Sequence, residues 1–450
     1  FADRYVASFT LRRDGSSRLS PAHRWGTFPA FGLGWRVTNE PFLANNRIFS
    51  DVMLRYGWGK TGNQLIPSGR IVSQFGGGRG DTFYDVGGKN SSVEAGFRQA
   101  SLGNPDLKWE ENKSQNVGAD MVLFGGALNF VVDVYKRETS NLLFDPATPG
   151  TAGIAAPPIV NIGKMKNTGI DISVGHQAAN WNISFNGSHY KNEIVSINGV
   201  QDFFYGPITT RFGNQIINKV GNPIGSFYGY IADGFFENAA AVTAHATQDG
   251  AAPGRIRFRD VNGDKKISLD DRTVIGSPHP SFTGGMDLGM RRGNFDVSAT
   301  LFGSYGNDIF ENQKEFYVFR EFEANVKSDL LKNSWTPDNL NAKYPKIDQN
   351  DLYSHALSSF YIEDGSYTRL RNLQLGYNIP AAMSRRIPLS RVYVQGENLW
   401  TFTGYEGLDP SLPAANITGP AGDIRDQYRG VDRGSYPSNR VFSVGIVASF

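Results

Sequence analysis

The sequence contains no cysteine, and no apolar run is long enough to cross a membrane as a helix. The first absence excludes disulfides, a thiolate metal site and a thiol nucleophile. The second excludes a transmembrane helix, which needs about 20 consecutive apolar residues. Charge of one sign is also missing. The 45 Lys and Arg face 43 Asp and Glu, and a net charge of +2 offers no basic surface for nucleic acid. The six histidines are scattered, with no His-Glu-x-x-His pattern for zinc, and no serine sits in a Gly-x-Ser-x-Gly turn. Glu110 and Glu111 are adjacent, but neighbours on a strand point to opposite faces and make a poor acid–base couple. Gly57-Trp-Gly-Lys60-Thr61 has Leu54 where a phosphate loop needs glycine. The sequence therefore reads as no enzyme.

Glycine and aromatics are abundant instead: 52 Gly, 22 Pro and 13% Phe, Trp and Tyr in 450 residues. That composition is too aromatic for a disordered chain and too rich in glycine for a helical one. The mean hydropathy of −0.36 suits a protein in water. The pattern says otherwise. Phe442, Val444, Ile446, Ala448 and Phe450 alternate with smaller or polar residues, which is one face of a strand. Val117, Ala119, Met121 and Leu123 do the same, then Gly125-Gly126 turns the chain, then Leu128, Phe130, Val132 and Val134 continue. Similar pairs flank 177–180, 291–294 and 380–388.

About twelve strands follow, near 3–13, 26–38, 51–62, 108–124, 127–142, 166–177, 180–196, 282–291, 294–305, 365–380, 390–402 and 439–450. Several exceed ten residues, the length at which a tilted strand crosses a bilayer. Short turns alternate with long segments at 63–107, 143–165, 197–281, 306–364 and 403–438. Outer-membrane barrels have this asymmetry, with short periplasmic turns and long extracellular loops. A C-terminus in the periplasm puts every long segment outside. A soluble sandwich or propeller would have short turns at both ends. The expected fold is all-β: an antiparallel transmembrane β-barrel in the cell outer membrane. Trp35, Trp58, Trp181, Tyr377 and Trp400 are read as interface girdles or lumen packing, and Asp120, Asn129 and Asp133 as lumen-facing. Phe1 opens in what reads as mid-strand, so the chain is expected to be part of a longer or nicked barrel.

Several stretches carry a resemblance. They are Leu11-Arg-Arg-Asp-Gly-Ser-Ser-Arg18, Arg24-Trp-Gly-Thr-Phe-Pro-Ala-Phe-Gly-Leu-Gly-Trp-Arg36, Asn39-Glu-Pro-Phe42, Leu54-Arg-Tyr-Gly-Trp-Gly-Lys-Thr-Gly-Asn63, Leu102-Gly-Asn-Pro-Asp-Leu-Lys-Trp-Glu-Glu111 and Gly396-Glu-Asn-Leu-Trp-Thr-Phe-Thr-Gly-Tyr-Glu-Gly-Leu-Asp-Pro410. In this order, with the terminal strand, they resemble the SusC/RagA-type TonB-dependent outer-membrane transporters of Bacteroidota. The resemblance implies a plugged barrel of about 22 strands, of which these are the twelve C-terminal ones. It implies that the plug and the N-terminal part of the barrel lie outside this chain. It also implies a SusD-type surface lipoprotein as lid, TonB energy coupling through the missing half, and active import of oligosaccharides or peptides. A passive pore or export channel is the other reading of a barrel, and an extracellular binding or hydrolytic β protein a third.

Two local features suggest sites. Asp260-Val-Asn262-Gly-Asp264-Lys-Lys266-Ile-Ser-Leu-Asp-Asp271 follows calcium-loop spacing, with side-chain oxygens at positions 1, 3 and 5, the Lys266 carbonyl at 7 and Asp271 at 12. Lys265 stands where such loops have glycine, and the bland reading is an acidic turn. Phe203, Phe204 and Tyr205, with Phe316, Tyr317 and Phe319, fall in two long segments, where aromatics either stack on ligand or pack loop on loop.

Overall fold

The computed structural model describes all residues except 44, 86, 89–92, 145–154, 198–201, 207–212, 320–324, 381–388, 413–417, 420–421, 424–427 and 449–450. Twelve strands form one sheet in chain order. They are β1 (Tyr5–Gly15), β2 (Trp25–Arg36), β3 (Phe49–Asn63), β4 (Glu110–Leu123), β5 (Leu128–Ser140), β6 (Lys164–Gln177), β7 (Trp181–Ser196), β8 (Phe282–Arg292), β9 (Phe295–Tyr305), β10 (Tyr367–Asn378), β11 (Leu389–Thr403) and β12 (Val441–Ala448). Every neighbouring pair is antiparallel. The expected twelve strands are therefore present. The end of the last, Phe450, lies outside the described residues.

The register turns alternation into two chemically distinct faces. One row runs Met121, Phe130, Val174, Phe185, Met286 and Leu301 across six strands. A row of the opposite face runs Gly118, Asp133, Asp171, Ser188, Thr283 and Ser304 across the same six. Directly opposed residues point the same way, so each row belongs to one face. Aromatics rim the apolar face. Trp35, Trp181, Phe295 and Tyr377 lie at one end and Trp25, Phe282, Tyr305, Trp400 and Phe402 at the other. From Phe295 to Tyr305 is about 33 Å along the strand, or about 25 Å in height at a barrel's tilt, which matches the apolar band of an outer-membrane barrel.

The connections sort by end. Phe124–Gly126 turns β4 into β5 with positive φ at all three residues, a conformation that glycine adopts without strain at two of them. Gly293 likewise turns β8 into β9 at φ +60°. The opposite end carries the long segments. One departure is the β1–β2 connection, which lies at the long-loop end yet is short. Among the described residues β1 pairs only with β2 and β12 only with β11, so the sheet does not close on itself.

The water-excluded core lies in the loops. Ile216, Phe227, Phe310, Leu357, Tyr361 and Val431 form one buried cluster drawn from three long segments. Leu19, Phe28, Ile66, Leu107, Trp109 and Ile159 form another at the rim of β2–β4. The second joins three of the sequence stretches, Arg24–Arg36, Leu54–Asn63 and Leu102–Glu111. Trp109 lies edge-on to Phe28 at 5.4 Å and its indole N–H donates to the Arg24 carbonyl at 3.2 Å. Gly62 must lack a side chain, since a Cβ there would sit 2.2 Å from the Phe28 ring and 2.8 Å from Trp109.

Candidate functional site

The polar face of β4–β7 follows from side chains two apart on each strand. Ser114 and Asn116 on β4 align with Arg137 and Tyr135 on β5, with Asn167 and Gly169 on β6, and with Asn192 and Tyr190 on β7. Gly169 matters because it stands between two tyrosines. A Cβ there would come within 2.6 Å of the Tyr135 phenol, so its absence lets that ring lie across the strand.

Loop chain covers these rows. A four-stranded sheet of Phe203–Tyr205, Ile216–Lys219, Ser226–Gly229 and Thr273–Gly276 supplies the roof. Asn192 holds it down, donating to the Asn167 side chain at 2.7 Å and accepting from the Ile224 N–H at 2.8 Å. His279 ties the same corner. Its Nε2 faces the Ile224 carbonyl at 2.8 Å and its Nδ1 faces the Tyr190 hydroxyl at 3.1 Å. A carbonyl only accepts, so Nε2 carries the proton and Nδ1 accepts from Tyr190. Burial lowers the His279 pKa and keeps the ring neutral.

Between wall and roof lies a cavity of about 780 Å³. Asn116, Asn167, Asn192 and Asn218 present amides to it, Tyr135, Tyr190 and Phe204 present rings, and Arg137, Asp171 and Arg429 present charge of both signs. A second hollow of about 400 Å³ lies lower on the polar face, with Asp133, Asp171, Ser188 and Thr283 in its wall. Near it Arg55 bridges Asp120 at 2.5 Å and Asp133 at 3.1 Å, and Asn116 donates to Asp133 at 2.9 Å. Amides, hydroxyls and ring faces suit a polar ligand with many donors and acceptors.

The residues singled out from sequence separate here. Phe204 lines the cavity. Phe203 and Tyr205 pack edge-on at 5.3 Å, and Tyr205 lies against Tyr228. Phe319 packs on His355, Phe360 and Tyr361. The Lys327 ammonium sits 5.0 Å from the Tyr317 ring centre. Phe316 lies half-buried beside Tyr317 on the short helix Lys314–Tyr317. Asp120 and Asp133 take the polar face, as alternation implies, with Asn129 two rows below Asp133. The same alternation identifies Asn116, Tyr135 and Arg137, but only the register brings them beside Tyr190.

The acidic loop folds around its own backbone. Asp260 accepts from the Gly263 and Lys265 N–H groups at 2.7 and 2.8 Å, and Asp264 from Lys266 at 2.8 Å. Asp271 is fully buried and accepts from Val261, Asn262 and Ser268, contacts that lower its pKa against the opposing effect of burial. Lys265 adopts φ +67°, making the left-handed turn that glycine makes in calcium loops. Among the described residues no three His, Cys, Asp or Glu side chains converge as metal ligands do.

An antiparallel sheet with a lipid-suited face, aromatic rims and long loops at one end is a piece of outer-membrane barrel wall. The family described as TonB dependent receptor-like, beta-barrel matches residues 1–399, and the chain belongs to that family. Its members are transport receptors, not enzymes. TonB-dependent receptor P3 of Formosa agariphila is 33% identical over 464 residues, covering 100% of this chain and 44% of that protein. TonB-dependent receptor SusC of Bacteroides thetaiotaomicron is 28% identical over 472 residues, covering 100% of this chain and 42% of that one. The solved RagAB peptide transporter superposes with a TM-score of 0.80 at 26% identity, covering 99% of this chain and 46% of that chain. The chain thus spans less than half the length of these relatives, and within the family it is of the SusC/RagA type.

Proposed function

We propose that this chain is the C-terminal part of the barrel of an outer-membrane active importer for oligosaccharides or peptides. It works with a SusD-type surface lipoprotein as lid. TonB drives it through a plug and an N-terminal barrel half that this chain does not carry. The carrying observation is the cavity wedged between the polar face of β4–β7 and its loop roof. A polar, roofed chamber holds a ligand, whereas a passive pore needs an open lumen. The long loops face outward and the C-terminus faces the periplasm in this reading. The same half-barrel lining would also serve an export channel, which is the second reading. Likeness to a named peptide transporter favours peptides among the two substrate classes.

The test is uptake of labelled oligosaccharides and peptides by cells expressing the full-length protein, with and without an uncoupler. Energy-dependent uptake, and a lipoprotein that co-purifies, are the expected results. Uptake that continues after uncoupling overturns active import.

The loop Asp260–Asp271 enters as a separate calcium proposal. Asp260, Asn262, Asp264 and the Lys266 carbonyl would hold the ion while Asp271 closes the loop, and the ion would stiffen this segment. The left-handed Lys265 supports it. Calorimetry of the purified protein with calcium is expected to show binding, and the absence of heat would end the proposal.

A further inference from the structure

The outward, apolar face of β3–β7 changes character abruptly toward the long loops. One row reads Tyr56, Val117, Val134, Ile170 and His189. The next step on that face brings Lys136 and Lys191 around Thr168. The step after it brings Lys60, Lys113, Glu138, Lys166 and Glu193 in one registered row. Glu111 and Lys164 follow, each opposite Ser140. Each step is about 6.6 Å along a strand, so the charged rows begin where the hydrocarbon ends and run through the depth of the headgroups.

The carboxylates are too few for the lysines. Lys60 pairs with Glu111 at 2.8 Å and Lys136 with Glu138 at 2.7 Å. Glu193 serves both Lys166 and Lys191 at 3.5 and 3.4 Å. Lys113 and Lys164 have no ion pair among the described residues. The patch is also lopsided. At the matching rim of β8–β11 the face carries Phe282, Tyr305, Trp400 and Phe402 instead.

We propose that this patch binds the anionic headgroups of outer-leaflet lipid, through phosphate or carboxylate oxygens. Six lysines against three glutamates leave an excess of positive charge at the one depth where headgroups lie beside the wall. The Lys–Glu pairs keep the other four lysines extended along the sheet, and Lys113 and Lys164 stand between them near Glu138 but in no ion pair among the described residues. The anchoring orients β3–β7, which include the strands β4–β7 that line the cavity, against a fixed lipid shell. The inference does not depend on the identity of the imported substrate.

The full-length protein is reconstituted into vesicles of phosphatidylcholine containing a few per cent of spin-labelled phosphatidylglycerol, lipid A or phosphatidylcholine. The wild type is expected to enrich both anionic lipids over the neutral probe. K113Q/K164Q is expected to lower that preference by about five-fold for each lysine at low salt, the equivalent of about 1 kcal/mol apiece. K332Q, which alters a lysine of the loop helix Leu330–Asn333 outside these registered rows, is expected to leave it unchanged. Heat-modifiable gel migration checks that each variant is folded. No preference in the wild type, or one that survives K113Q/K164Q, overturns the proposal. Loss of the preference in millimolar inorganic phosphate at constant ionic strength also overturns it, because the patch would then be a free-anion site.

Discussion

The sheet and the loop body bury their large side chains in opposite ways. On β12 Phe442, Val444 and Ile446 are 77%, 77% and 69% exposed, while in the loops Phe227, Phe310 and Tyr361 are wholly buried. Both sets are apolar, so the difference is in the solvent. The sheet is built to meet hydrocarbon, which needs no core behind it, and between β1 and β12 its backbone is satisfied strand to strand. The loops stand in water and must assemble a core of the ordinary kind. It follows that substitutions should fail for different reasons in the two regions.

The loop body is the region most easily broken. Phe310 joins Tyr361 in a stack at 5.4 Å and meets Phe227 edge-on at 5.8 Å. Phe310→Ala leaves a cavity in a cluster that pins three segments together, and about 3–5 kcal/mol of loop-body stability should be lost. Arg369→Ala strikes the same body from the sheet side, since Arg369 stands at the long-loop end of β10. Arg369 pairs with Asp409 at 2.5 Å, both almost fully buried, and also donates to Thr401, Ser411 and Ser438. Burial opposes ionisation of Asp409, but N–H groups of Ser438 and Ser411 together with Arg369 hold its pKa well below the usual carboxylate range. Removing the cation leaves that charge alone, at a cost of about 3–5 kcal/mol. Thermal denaturation of the purified protein followed by near-UV circular dichroism checks both. An unchanged Tm in either variant would mean that the loops do not melt as a packed unit.

The sheet should respond to polarity rather than to volume. Val174 and Ser173 are neighbours on β6 and lie on opposite faces. Val174→Lys places an ammonium near the centre of the apolar band and should cost about 2–4 kcal/mol. Ser173→Lys adds the same charge to the polar face and should cost about 0.5 kcal/mol. Denaturation from lipid vesicles in urea reads the difference. Equal effects at the two positions would mean that the faces are assigned wrongly.

The same contrast explains what was legible in the sequence. A strand with one face in lipid repeats every two residues, so the wall, its turns at Gly125-Gly126 and Gly293, and its polar partners could be read directly. The loop core has no such period. Phe319 and Tyr317 look like ligand aromatics in one dimension, yet packing decides their place, and their neighbours Phe360 and Tyr361 lie forty residues away in the chain. Asp409 sits in a stretch that announced a family, while its partner Arg369 carries no local mark. The cavity was half legible. Alternation marks Tyr135 and Tyr190 as polar-face residues, but Gly169 between them acquires meaning only through the register that aligns β5, β6 and β7.

Glu311 offers the finest test of the difference, because its cost depends on pH. It is buried in the loop body, with Glu363, Asp432, Lys314, Tyr317 and Tyr405 about it. Lys314 is committed to Glu363 at 2.8 Å, and Asp432 accepts from the Tyr405 hydroxyl at 2.6 Å. One Glu311 carboxyl oxygen is left buried without a hydrogen-bond partner. Burial, reinforced by Glu363, pushes its pKa up from 4.5 to about 7. A raised carboxyl pKa means that the folded state favours the protonated form. Stability is therefore full below pH 4.5, declines between 4.5 and about 7, and stays reduced above that. Glu311→Gln keeps the shape of the protonated side chain and removes the titration. At pH 8 it should stabilise the loop body by about 1–3 kcal/mol, and at pH 4.5 by almost nothing. No comparable gain is expected from a carboxylate of the sheet such as Asp120, which already has Arg55 beside it. Melting curves of wild type and E311Q across that range decide the matter: a gap that opens with rising pH places the penalty on the ionised carboxylate, and a constant gap places it on packing alone.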